Sequence, residues 1–126
     1  MKYKLFIILW IIVIFILSAI SGNDLDKVPK INIPHFDKIV HFGMYSILQY
    51  LFILNFSKTR CKLTFINYLI ITSVFSVSYS IIMEFAQTYL FEKRSGDFFD
   101  VLANTTGVLT VIFLFRFNIL KKFRLI

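Results

Sequence analysis

The sequence predicts an all-α, polytopic membrane protein: a bundle of four transmembrane helices with both termini in the cytoplasm. Composition is the first reason. Of 126 residues, 58% are hydrophobic and 17% charged, against about 45–50% and about 25% in a soluble domain. Too few polar side chains remain to cover a small domain's surface in water. The second reason is that the apolar residues collect in four runs without Pro: Leu5 to Ile20, Ile39 to Phe56, Leu63 to Phe91 and Val101 to Phe117. The third is where the net charge of +7 resides. Its basic residues sit at the ends of those runs, in the pattern of membrane topology rather than of nucleic-acid binding.

A span needs about 20 residues to cross ~30 Å of hydrocarbon, and the four helices are expected over about 5–22, 39–56, 63–91 and 98–117 within a single domain, 1–126. The first is short unless Tyr3 and Ser21 to Gly22 extend it. Lys2 and Lys4 before it, with Ala19-Ile20-Ser21 after it, also permit a signal peptide. Against this, the run is bulky and slightly long for an h-region, and cleavage would leave three spans. The third run is long and should tilt or protrude. Between the first and second lies Gly22 to Phe36, with Pro29 and Pro34, an irregular linker. The N-terminus (Lys2, Lys4), the second connection (Lys58, Arg60, Lys62) and the tail (Arg116, Lys121, Lys122, Arg124) are basic with no acidic residue among them. The other two connections balance Lys27, Lys30, Lys38, Lys93 and Arg94 with Asp24, Asp26, Asp37, Glu92, Asp97 and Asp100. The positive-inside rule then makes the former cytoplasmic and the latter external. The one cysteine, Cys61, excludes an intramolecular disulfide and a Cys-based zinc site. It falls on the cytoplasmic side and is assigned no role.

Ionisable residues within spans are few, and each costs roughly 2.5–3.5 kcal/mol at mid-bilayer, so each is a functional candidate. Helical spacing groups them. Ser73, Ser76, Ser80, Glu84 and Gln87 share one face of the third helix; Asp97, Asp100, Asn104, Gly107 and Thr110 share one face of the fourth. Asp37, His41, Tyr45 and Leu48 or Gln49 share a side of the second. Packing these stripes together gathers His41, Glu84, Gln87, Asp100 and Asn104 into a polar pocket near the outer interface. Simpler roles compete. The Ser residues and Gly107 let membrane helices approach closely. Asp97, after Gly96 and three residues before Asp100, has N-cap and capping-box spacing. Asp37 suits a first helical turn opened by Pro34. His41 also suits a satisfied interfacial imidazole. Glu84, roughly 32 Å along its run at 1.5 Å per residue, also suits an ion pair with Lys38 or Arg94.

Those residues fall into three motifs: Asp37-Lys38-x-x-His41 with Tyr45 after it; Glu84-x-x-Gln87; and Arg94-x-x-Asp97-x-x-Asp100-x-x-x-Asn104-x-x-Gly107. In this order and spacing the chain resembles the VanZ-like family over nearly its whole length, including the Trp10 and Ser18 region. The resemblance implies a small bacterial integral membrane protein, whose best-known relative accompanies glycopeptide-resistance genes and gives low-level teicoplanin resistance. It also makes Asp37, Lys38, His41, Glu84, Gln87, Arg94, Asp97, Asp100 and Asn104 the motif positions.

Three functional classes follow. In the first, the outward pocket binds or modifies an envelope component, a lipid head group or a lipid-linked wall precursor, with Lys38 and Arg94 holding its phosphate. In the second, His41, Glu84 and Asp100 act as general acid and base in a membrane-embedded hydrolase or transferase. No nucleophile motif, Gly-rich phosphate loop or second His for a firm metal site accompanies them. One His with two or three carboxylates can hold Mg²⁺ or Mn²⁺, but spacing does not diagnose such oxygen-rich sites, and no metal or cofactor is expected. In the third, the cluster only fixes helix packing and the apolar surface binds another membrane protein. No soluble basic stripe with interleaved aromatics supports nucleic-acid binding. A transport path is disfavoured because the polar residues stop near the outer side.

Overall fold

A computed structural model describes residues 2–20, 29, 34–59, 62–91 and 95–117. Among these the protein is all-helical: α1 (Lys2–Ala19), α2 (Phe36–Lys58), α3 (Phe65–Tyr89) and α4 (Phe98–Arg116). All four are long and apolar enough to cross a membrane. Local chemistry sets their ends. Thr64 caps α3 by accepting from the Asn67 N–H, and Asp97 caps α4 by accepting from Phe99 N–H at 2.9 Å, so each satisfies a backbone donor that a first turn leaves unpaired. α2 starts differently. Pro34 precedes His35, whose backbone is left-handed at φ 56°, and the His35 carbonyl accepts from Lys38 and Ile39. The helix therefore opens three residues before the apolar run does, with Asp37 in its first turn near the positive end of the helix dipole.

The helices run alternately up and down. Ser18, at the end of α1, meets Gln87 near the end of α3, while Asn104 of α4 meets His41 of α2. α2 and α4 are thus parallel, and they share the most extensive interface. Gly107 permits it: a Cβ there would collide with the Phe42 carbonyl and the Ser46 hydroxyl. α1 packs on α2 and more lightly on α3, held by Trp10 Nε1 donating to Met44 O at 2.9 Å and Tyr79 OH donating to Ile11 O at 3.0 Å. The core formed by Ile7, Ile14, Met44, Tyr45, Leu48 and Val108 lies between α1, α2 and α4. At the end where α2 leads into α3, the Phe65 ring packs against Phe56 and Phe115, with centroids 5.1 and 4.9 Å apart.

Outside, the bundle is apolar. Ile66, Phe85 and Phe113 are 69%, 63% and 58% exposed, amid many other large hydrophobic side chains. Such a surface is stable in hydrocarbon and not in water.

The inward face of α2 and α3 is polar further along than the sequence suggests. Gln49, fully buried, donates to Thr72 Oγ1 at 3.3 Å, and Asn55 donates to Tyr68 OH at 3.2 Å. Polar groups therefore do not stop near one end of the bundle. Asn55 continues the spacing of His41, Tyr45, Leu48 and Phe52, which is the signal that identifies it.

Candidate functional site

At the end of the bundle where α2 and α4 begin, three helices each bring one ionisable side chain inward. His41 comes from α2, Glu84 from α3 and Asp100 from α4, and all three are buried. Each lies on the polar stripe of its own helix. His41 Nδ1 lies 3.8 Å from Glu84 Oε1, and His41 Nε2 lies 3.6 Å from Asp100 Oδ2.

A second layer orients this group. His41 Nδ1 is 3.2 Å from Asn104 Oδ1, and Asn104 Nδ2 donates to Ser80 Oγ at 2.7 Å. The amide nitrogen is thereby turned to Ser80 and its oxygen to the imidazole. An amide oxygen only accepts, so Asn104 Oδ1 is the partner for a proton on Nδ1, while Nε2 faces Asp100. Glu84 Oε2 accepts the Asp97 N–H at 3.0 Å. In a capping box that donor would go to the third residue of the helix, which is Asp100. Here Glu84 takes it from another helix, and Asp100 is left to face inward. Gly96 makes the approach possible, since a Cβ at Gly96 would strike Thr88 Oγ1 and the Glu84 carbonyl.

Lys38 closes the site. Its ammonium donates to Asp37 Oδ2 at 2.9 Å, Asp97 Oδ2 at 2.9 Å and Asp100 Oδ1 at 3.0 Å. An ammonium has three donors, so these carboxylates use all of them. Lys38, expected from the sequence to offer its charge to a phosphate, here meets three acidic groups. Asp97, capping α4 outside the helix proper, is held below the usual carboxyl range, first by the Lys38 hydrogen bond and then by the Phe99 N–H.

The pocket expected from the stripes is present with changes in membership. His41, Glu84, Asp100 and Asn104 come together; Lys38, Asp37 and Asp97 form the rim. Gln87 turns to α1, donating to Ser18 O at 3.3 Å. Tyr45, one turn below His41, is 1% exposed, with no hydrogen-bond partner for its hydroxyl. Thr110 leaves the stripe, its hydroxyl donating to Thr106 O. Arg94 lies outside the described residues. A cavity of about 250 Å³ opens beside the cluster, under the end of α1, with Ser18, Asp37, His41 and Gln87 among its walls. Ser80, which fixes the Asn104 amide, and the Ser18 carbonyl were not singled out from the sequence as site groups. Ser80 lies on the same stripe as Glu84, whereas a backbone acceptor leaves no mark in sequence.

A family model described as VanZ/LLP1 matches residues 3–121, nearly the whole chain. The chain belongs to the VanZ/LLP1 family. No curated protein and no solved structure matches it. For this VanZ/LLP1 chain, the motif residues named above are thus residues of one buried cluster and its rim, apart from Gln87 at the cavity wall and Arg94.

Proposed function

We propose that the protein is a multi-pass protein of a bacterial cytoplasmic membrane, with both termini cytoplasmic, whose polar cluster faces outward and binds or modifies an envelope component. That component is a lipid head group or lipid-linked wall precursor. The observation that carries this reading is the burial of His41, Glu84 and Asp100 together beside an open cavity. Ionisable groups inside a span are costly, and packing alone needs none of them. Their outward placement follows from charge: Lys58, Lys62 and Arg116 lie at the opposite end of the bundle from Asp37, Asp97 and Asp100, as the positive-inside rule requires. Family resemblance adds lowered teicoplanin susceptibility as the cellular consequence.

Glu84→Gln tests the reading, because it keeps an acceptor for the Asp97 N–H and removes the charge. Glycopeptide-sensitive Gram-positive cells expressing wild type should bind less fluorescent teicoplanin at the surface than cells without the protein. The variant at matched abundance should restore binding. Equal binding in all three would remove the envelope reading and leave the adaptor role.

A second reading, a membrane-embedded hydrolase or transferase, is favoured by one feature: His41 stands between two carboxylates with Asn104 beside its Nδ1. That is the arrangement of a general base held in place. Purified protein that releases no product from any lipid-linked precursor, with divalent metals supplied, would exclude it.

A further inference from the structure

We propose that His41, Glu84 and Asp100 bind one first-row divalent cation of the Mn²⁺ or Zn²⁺ type, beside the cavity that His41 also lines. One donor atom from each residue lies within 4.8 Å of the other two. The three come from three different helices, so packing of the bundle preforms the set. Each also has its second polar atom engaged. His41 Nδ1 is on Asn104, Asp100 Oδ1 is on Lys38 and Glu84 Oε2 is on the Asp97 N–H. Such outer contacts are what aim metal ligands in built sites.

The pair left facing each other is His41 Nε2 and Asp100 Oδ2, 3.6 Å apart. The separation exceeds a hydrogen bond. Two donors on one ion, each bonded at about 2.0–2.2 Å, stand about 3 Å apart when adjacent, so this pair closes by roughly half an ångström, and the most separated donors of the set, within 4.8 Å, by more. The Tyr45 hydroxyl, one turn along α2 from His41, is buried beside Ser80.

One imidazole nitrogen and two carboxylates favour a transition cation over Mg²⁺ or Ca²⁺, which take oxygen-rich shells. Three protein ligands leave room for an exogenous oxygen. The use of the ion rests on the envelope reading above, since a cation is what lets an acidic cluster hold a phosphate when Lys38 is already neutralised. Cation binding itself does not depend on that reading.

The test is titration of Mn²⁺ into the full chain, purified in detergent and stripped with chelator, followed by the EPR signal of free Mn²⁺, with Zn²⁺ as competitor. One saturable equivalent per chain is expected. His41→Gln, Glu84→Gln and Asp100→Asn should each weaken it by at least about tenfold. Asn67→Ala, exposed at the far end of the bundle in the first turn of α3, should leave it unchanged. Far-UV circular dichroism checks each variant's helicity, and a rise in wild-type Tm with Mn²⁺ supports the site without any variant. Absence of a saturable equivalent together with an unmoved Tm overturns the proposal. So does retention of binding in the three ligand variants. One equivalent of Mn²⁺ alongside unchanged teicoplanin binding in cells keeps the cation site and discards the envelope reading.

Discussion

Asp97 joins three jobs in one residue. Its carboxylate caps α4 through the Phe99 N–H, it shares the Lys38 ammonium with Asp37 and Asp100, and its own N–H orients Glu84. The first two hold its carboxyl below the ordinary value, and the sign of the consequence follows. A carboxyl lowered on folding stabilises the folded state above its unfolded pKa, about 3.9, and that contribution is lost as pH falls through the lowered folded value. Wild type in detergent should therefore lose Tm on acidification below about pH 4. In Asp97→Asn the cap acceptor survives but the titrating group does not. That variant should start from a lower Tm at pH 7 and fall less steeply in acid; an identical acid limb in both proteins would show that Asp97 does not carry it. Asp97→Ala, which removes the cap as well, should melt below Asp97→Asn. The membership of the cluster was legible from spacing because His41, Glu84, Asp100 and Asn104 each lie on a polar stripe. Lys38's contacts were not: its long side chain reaches Asp37 on its own helix and Asp97 and Asp100 across the bundle, and spacing does not choose among such partners.

Between helices, the decisive contact is the parallel pair α2 and α4, set by Gly107 against Phe42 and Ser46. Gly107 stands one turn below Asn104, so the close approach also places the Asn104 amide on His41. Gly107→Val should push the helices apart and destabilise the bundle by about 1–3 kcal/mol, the usual cost of overpacking. It should also weaken any ligand of the His41 cluster. Thermal unfolding in detergent reads the first effect, and Mn²⁺ titration the second. A variant with wild-type Tm would mean that this interface yields without cost. Helix existence was plain from the four apolar runs, but their ends were not. Hydropathy marks the stretch that suits hydrocarbon, whereas hydrogen bonding marks the helix. α2 accordingly extends back through the charged Asp37 and Lys38 to Phe36, and α1 back to Lys2. α3 waits for its Thr64 cap and starts at Phe65. Gln49 was placed on the α2 stripe and Asn55 continues its spacing, but their partners Thr72 and Tyr68 are given only by the helix opposite.

For the whole molecule, the alternating helices put every described basic residue other than Lys38 at one end and the acidic rim at the other. The Lys38 charge is neutralised within that rim. A membrane of ordinary polarity therefore sees a bundle with one strongly cationic end, and each cation kept on the cytoplasmic side reinforces the same orientation. No single charge should decide it. Replacing Lys2 and Lys4 by Gln should leave the topology unaltered, since Lys58, Lys62 and Arg116 still mark the same side. Green fluorescent protein fused after Ile126 should fluoresce, and alkaline phosphatase at the same position should be inactive, in wild type and in this variant alike. Phosphatase activity there would put the His41 cluster on the cytoplasmic face, out of reach of surface-bound glycopeptides. The envelope reading would then fall with its orientation, while a cation held by His41, Glu84 and Asp100 would remain possible from either side, because it depends only on how three helices pack.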